Sequence, residues 1–390
     1  MKGIFRFAML LSVAASLFSC KEKQEPDAGV GLDADFYITS SKDVIKSDGS
    51  DFAQLHVILQ GQDVTDKAVI YDQKNNVVNL VDGRFSTSTV GDHKFRAEYG
   101  TYNTYNPKFQ DNGYYTIKAI SQTVPDAVAD PQAGSVEFVH RAFLTQYTGT
   151  SCGFCPYMTH IVKQLIAEDY IPSKAILAAA HSGYNGKDEA AISRPKSPAD
   201  YPYMHVDLVQ GFNHSSGKAK LRQLIDDSIS SPAKAGISVT PVLYEEDGII
   251  VVTVSVKAAE DGIYNVGAWL LEDNIYSQQD DNHNIEGTEG YAPGEFDTHN
   301  NCVRIVDSDY LGTYFGRLIG PMTRGQVETK NFVMAIDKKW TNKKDMDDLL
   351  KDLHIAAFVS YGKKQGNRVT YSVCNAVDCP IDSPAPFEYK

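Results

Sequence analysis

The chain has 390 residues and a formal net charge of −13, from 50 acidic against 37 basic side chains. No long basic run occurs, which argues against nucleic acid as a partner. The length suffices for roughly two or three domains, and past the first twenty residues no stretch is apolar enough to span a bilayer.

Residues 1–20 read as a secretion signal. Lys2 and Arg6 give a positive start, Phe5 to Leu17 is apolar but too short to cross a membrane, and small residues then precede Cys20. The segment resembles a bacterial lipoprotein signal. That likeness implies lipidation of Cys20 and an outer membrane lipoprotein, periplasmic or surface-exposed, whose membrane partner is reached through the lipid anchor. An ordinary signal peptide with an incidental cysteine is the plainer alternative. Residues 21–30 are charged and contain proline and glycine, as a tether should. Export also implies an oxidising compartment, in which disulfides persist.

Residues 31–120 predict β-structure. "FAQLHVIL" (Phe52 to Leu59) mixes alternation with β-branched residues, and "HKFRAEY" puts Phe95, Ala97 and Tyr99 on one face. Closely spaced turn signals such as "SDGSD" and "VDGRF" point to a sandwich. "GQDVT" with "RFSTSTVGDHKFRAEYGTYNT" resembles bacterial immunoglobulin-like domains, which implies a spacer or adhesive module. Residues 121–135 hold two prolines and few large apolar side chains and read as a linker.

Residues 136–231 change character. "RAFLTQY" and "KAILAAAH" are candidate buried strands. Met158, Ile161, Val162, Leu165 and Ile166 form one helical stripe, and Leu221, Leu224, Ile225 and Ile229 form another, with a serine cap at Ser215 or Ser216. Strand, helix, strand, helix is the pattern of an α/β layer. Residues 232–390 return to β: Ile250, Val252, Val254 and Val256 alternate, and "YNVGAWLL", "NFVMAI", "HIAAFVSY" and "VTYSVCNAV" are further strands. One short helix, "KKDMDDLLKDL", interrupts them. The expected fold class is a multidomain α/β plus all-β chain: an Ig-like β-sandwich, a central α/β domain and a C-terminal β-sandwich-like domain.

The chemistry-bearing motif is "TGTSCGFCP", Thr148 to Pro156. A strand gives way to a helix here, so Cys152 falls near a helix N-terminus, where unpaired N–H groups and the helix dipole favour a thiolate. Cys155 is spaced to attack a mixed disulfide formed on Cys152 and release the product. Pro156 is tolerated in the first turn, where an N–H has no helical partner. Three readings compete. A zinc site would need about four ligands; no second close pair follows, and His160 lies off the helix face. A Cys152–Cys155 disulfide as an inert staple would constrain little chain. A redox-active dithiol of thioredoxin-like type fits the strand–CxxC–helix context. No metal and no cofactor is implied.

"QYTGTSCGFCP" (Gln146 to Pro156) is similar to the "EFTGTWCGYCP" stretch of the Omp28-related outer membrane lipoproteins, and "FDTHNNCVR" and "HIAAFVSYGK…VTYSVCNAV" resemble their C-terminal part. The likeness implies that the central domain is thioredoxin-like and that a cis-proline lies against the dithiol, its preceding backbone binding an extended substrate strand. "DYPYMHVD" makes Tyr201 and Pro202 the candidates, with Pro195 and Pro198 nearby. Two departures stand out. The family has an acidic residue where this chain has Gln146, and tryptophan where it has Ser151. The lost carboxylate removes one general base for the resolving thiol.

Cys302, Cys374 and Cys379 remain. If "VTYSVCNAVDCP" is one strand, Cys374 and Cys379 lie on opposite faces, roughly 16 Å apart at ~3.3 Å per residue, beyond the about 7 Å a disulfide allows. Cys302 is then the partner left for Cys374. A tight turn at Asn375 to Asp378 would instead join Cys374 to Cys379, and three buried thiols that never oxidise is the further alternative. His140, His181 and His205 read as structural or surface histidines. "LEDNIYSQQDDNHNIEGTE" lacks calcium-loop spacing and reads as a solvated loop. Two functions follow: exchange of disulfides with thiol or disulfide client proteins, or a non-catalytic surface, adhesion or assembly lipoprotein that uses the central domain as a scaffold.

Overall fold

The computed structural model describes residues 36–105, 112–182, 188–191, 200–306, 315–336, 346–365, 368–381 and 383–390. The signal, the tether and Cys20 lie outside the described residues, as do Pro195 and Pro198.

The N-terminal strands are β1 (Phe36–Ser40), β2 (Val44–Lys46), β3 (Ala53–Leu59), β4 (Gln62–Asp63), β5 (Val69–Asp72), β6 (Arg84–Phe85), β7 (Gly91–Tyr99), β8 (Tyr102–Asn103) and β9 (Tyr115–Ile120). They form two sheets, β1-β3-β4 with β6 and β2-β9-β7-β5 with β8. The alternation read in the sequence sets their facing. Leu55 and Val57 from one sheet and Phe95, Ala97 and Ile117 from the other meet in a single buried core, with Tyr99 at its margin. Each such buried aliphatic or aromatic side chain contributes about 1.5–3 kcal/mol.

The middle of the chain runs β10 (Ala142–Thr148), α1 (Cys155–Ala167), α2 (Tyr170–Lys174), β11 (Ala175–His181), β12 (Tyr203–Val206), β13 (Gln210–Phe212) and α3 (Gly217–Ile229). β10 pairs parallel with β11 and antiparallel with β12, and β12 pairs antiparallel with β13. α1 and α3 cover one face: Met158, Ile161, Val162 and Leu165 pack with Leu144, Leu177, Leu221 and Ile225. Two details differ from the sequence expectation. Ile166, the last residue of the first stripe, lies one residue from the end of α1 and is exposed. Ser216 occupies the α3 cap without a side-chain bond, whereas Asn213 accepts from Ser215 N–H at 3.0 Å in the preceding turn.

The remaining elements are β14 (Ala235–Tyr244), β15 (Ile249–Ala258), β16 (Gly262–Glu272), β17 (Ile275–Tyr276), α4 (Ile285–Thr288), β18 (Thr298–His299), β19 (Cys302–Val306), β20 (Arg317–Met322), β21 (Val327–Ala335), α5 (Met346–Asp352), β22 (Leu353–Gln365) and β23 (Arg368–Pro380). One sheet continues from the middle of the chain into this part in the order β13-β12-β10-β11-β19-β16-β22-β23, with β20 also on β16. The join is the single parallel bridge Ala179 to Cys302. The sheet curls so that β10 meets β16 and β22 across a shared core. Phe143 lies 5.1 Å from Trp269 and 4.9 Å from Phe358, ring to ring, and all three are fully buried. Such aromatic pairs add about 0.5–1.5 kcal/mol beyond area burial. Residues on both sides of position 231 therefore share one sheet and one core.

A second sheet, β14-β15-β21, packs on the far side of β16, β22 and β23, burying Ile250, Val252, Val254 and Val256 against Val266, Leu270 and Ile355. The opposite face of β15 is also covered, by residues 121–135. Thr253 Oγ1 donates to the Pro125 carbonyl at 2.7 Å, and the ammonium of buried Lys257 meets Asp130 Oδ2 and the Ala133 carbonyl, each at 2.7 Å. The segment with linker composition is thus a strip of covering chain. The N-terminal module docks beside it through Val44 and Ile120 on Val251.

Candidate functional site

β10 ends at Thr148, and the chain turns through Gly149, Thr150 and Ser151 to Cys152. Cys152 and Cys155 are joined by a disulfide with Cα atoms 5.4 Å apart, inside the span such a bond needs. α1 begins at Cys155, with Pro156 at the position where a missing N–H costs nothing. The Cys152 carbonyl accepts the Cys155 N–H at 2.9 Å, so Cys152 precedes the helix and faces its positive end. Cys155 is fully buried and Cys152 half-buried. Solvent reaches Cys152 first.

The Tyr201–Pro202 peptide is cis. It immediately precedes β12, whose first residue Tyr203 pairs with Tyr147, so Pro202 sits at the end of β10 from which the dithiol loop departs. Gln146 is buried on the face that carries α1, between Ala179 and Met204 in register. It lines a cavity of about 480 Å³ together with Thr148, Thr159, His181 and His299. Beside His181, Asp188 Oδ2 accepts from the Thr150 N–H and pairs with His181 Nδ1, both at 2.9 Å. Burial alone would raise the Asp188 carboxyl. The bonds from His181 and Thr150 outweigh this and hold it below the usual range.

A long strap from the C-terminal part of the chain covers the dithiol loop. β17 and β18 close its neck, where Asp273 accepts the Asn301 N–H at 2.6 Å and Asn300 accepts the Asn274 N–H at 2.9 Å. The Gln279 amide Nε2 donates among the carbonyls of Thr150 (3.1 Å), Cys152 (3.2 Å) and Gly149 (3.4 Å). Asp280 N–H bonds the Thr150 carbonyl at 2.8 Å, and Asn282 N–H bonds the Gly153 carbonyl at 3.2 Å. A side chain at Gly153 would have to displace that of Asn282, whose Cγ would lie 2.2 Å from a Cβ there. The His283 ring then packs against Phe154 in a tilted arrangement, with ring centroids 4.6 Å apart. The segment 271–289 is solvated along much of its length, Tyr276, Gln278 and Asn284 being exposed, but its backbone and Gln279 also make a wall of the site. Polar composition alone does not distinguish a solvated loop from one whose polar groups bond another loop's backbone. The small residue between the cysteines was the one trace of it in sequence.

The expected Cys302–Cys374 disulfide is not formed. Cys302 is on β19 and Cys374 on β23, with β16 and β22 between them. At about 4.8 Å per strand they lie beyond disulfide reach. β23 does persist to Pro380, yet Cys374 and Cys379 share a face. A register shift between Val359 and Ser360 leaves Cys374 without an opposite residue and turns both cysteines into one core. All three are buried and outside any disulfide, and burial pushes the Cys302 and Cys374 thiols well up.

The histidines have structural partners. His140 Nδ1 bonds the Ser231 carbonyl at 2.8 Å, and His205 stands edge-on to Tyr147 with burial pushing it down to about 4. His160 bonds Tyr291 Oη at 3.0 Å. Among the described residues, no three His, Cys, Asp or Glu side chains gather as a metal would need. No helix among them is long and apolar enough to cross a membrane.

No protein-family model and no curated protein matches this sequence. Among solved structures, the chain is similar to HBP35 of Porphyromonas gingivalis, with 18% identity and a TM-score of 0.43, covering 65% of this chain and 78% of that one. A likeness at that level carries no argument about the site.

Proposed function

We propose that this chain is a cell-envelope lipoprotein whose Cys152–Cys155 dithiol exchanges disulfides with envelope proteins. The observation that carries the reading is the disulfide-spaced pair at the start of α1, with Cys152 half-buried and Cys155 fully buried. A thioredoxin-like reading of residues 136–231 is supported by the chain order β10, α1, β11, β12, β13, α3 and by the parallel pairing of β10 with β11. The motif likeness to Omp28-related lipoproteins supports the envelope setting, and that of residues 31–120 to bacterial Ig-like domains supports a displayed arm.

In the proposed exchange, the Cys152 thiolate attacks one sulfur of a client disulfide, and the other client sulfur leaves as a thiolate that takes up a proton. Cys155 then loses its proton and attacks the Cys152 sulfur. The client leaves with both sulfurs reduced, and Cys152–Cys155 is left oxidised. The backbone of Tyr201 before Pro202 is the proposed contact for the client strand. Gln146 favours a second reading, in which the central unit is a scaffold for adhesion or assembly, because no carboxylate stands at that position to take the Cys155 proton.

Alkylation of the reduced protein at Cys152, followed against pH, separates the two. Exchange requires an apparent pKa well below the roughly 8.5 of free cysteine. An unshifted value contradicts exchange and leaves the scaffold.

A further inference from the structure

We infer that Gln279, far from the cysteines in sequence, is a positioning residue of the dithiol, and that the strap carrying it tunes Cys152. The inference rests on the exchange reading. Three carbonyl oxygens of the dithiol loop, from Gly149, Thr150 and Cys152, converge on one side-chain nitrogen at 3.4, 3.1 and 3.2 Å, and the Asp280 carbonyl joins them at 3.0 Å. A carbonyl is the negative end of its peptide dipole. Four such ends gathered at one point repel one another unless a donor sits between them, and the two N–H bonds of the amide supply it. The Gln279 backbone is held in turn, its N–H donating to Asp297 Oδ1 at 2.8 Å.

The consequence for chemistry is electrostatic. Gln279 sets the partial positive charge of its N–H groups against these oxygens. The Cys152 carbonyl is held twice, by Gln279 and by the Cys155 N–H at 2.9 Å. Without the amide that positive charge is lost, and the less compensated carbonyl dipoles of the loop that carries Cys152 oppose a thiolate and raise the thiol pKa. Among the described residues, the Asp188 carboxylate at Thr150 with His181 bonded to it, and Asp280 and His283 on the strap, are ionisable groups about the loop. All four are unchanged in the variants below, so a shift reports on the amide.

The experiment is the pH dependence of Cys152 alkylation in the full reduced chain, for the wild type, Gln279→Leu, Gln279→Met and Gln279→Lys. Leucine removes the donor. Methionine removes it with less change of shape and serves where leucine disturbs the fold. Lysine restores N–H donors to the same point. Leucine and methionine are expected to raise the Cys152 pKa by about 0.5–1 pH unit, with lysine at or below the wild type. A Cys152 pKa unchanged in the leucine and methionine variants, or raised equally in all three, overturns the role of Gln279. The wild-type value tests exchange and the difference between variants tests Gln279, so each fails separately.

Discussion

Asp43, in the N-terminal module, and Lys330, on β21, form an ion pair at 3.3 Å, with both side chains about 95% buried. Tyr115 donates its hydroxyl to the same carboxylate, and Arg317 lies 3.8 Å from its other oxygen. An arm held only by a linker would not need a buried charge pair at its base. The pair ties the module to the C-terminal sheet as a fixed projection. Asp43→Ala strands the ammonium in the interior and is expected to cost about 3–5 kcal/mol. Asp43→Leu with Lys330→Leu should cost clearly less than the two single changes added together. Denaturant midpoints of the four proteins check this, and strict additivity would contradict it.

His354 sets a pH limit on the neck of the strap. Burial alone would depress its pKa, but the Asp273 carboxylate 3.6 Å from its Nε2 and the Asp378 carboxylate bonded to its Nδ1 outweigh that and push it up to about 9. A histidine raised above its unfolded value of roughly 6.5 stabilises fully below that pH, and the gain is lost as pH rises through about 9. From pH 7 to 10 the wild type should therefore lose about 1–3 kcal/mol more than His354→Gln. Parallel denaturant titrations at the two pH values measure the difference. Equal losses in both proteins would remove His354 from the account.

The three buried cysteines predict a labelling pattern. Cys302, Cys374 and Cys379 should resist alkylation in the native protein, and each should take the label once the chain is unfolded without reductant, while Cys152 and Cys155 stay joined. A peptide linking Cys302 to Cys374 in unreduced digests would contradict the strand order.

Much of this architecture was legible in the sequence, because burial there follows a local period. Met158, Ile161, Val162 and Leu165 are buried as their helical spacing predicts, and Ile250 to Val256 face a core as their alternation predicts. What was not legible depends on partners remote in sequence. Val251, Thr253 and Lys257 are buried because residues 121–135 and the N-terminal module cover them, and alternation cannot reveal that. The facing of Cys379 was reversed by one unpaired residue, since a single bulge inverts everything beyond it. The dithiol was found from its two cysteines, whereas Gln279 and Asp188 reach it only through the fold.

The proposed anchor is tested by Cys20→Ala. The wild type should fractionate with the outer membrane, and the variant should appear as soluble or uncleaved protein. Unchanged membrane association of a correctly cleaved variant would defeat lipid anchoring at this residue.

Exchange itself is tested most directly by trapping. Cys155→Ala leaves Cys152 able to attack a client disulfide but removes the thiol that would release the product, so mixed disulfides should accumulate on Cys152. Envelope extracts from cells producing this variant should show adducts that disappear on reduction and that are absent with Cys152→Ala. No reducible adduct with Cys155→Ala, or adducts equally abundant with Cys152→Ala, would contradict an attacking Cys152 and with it the proposed exchange.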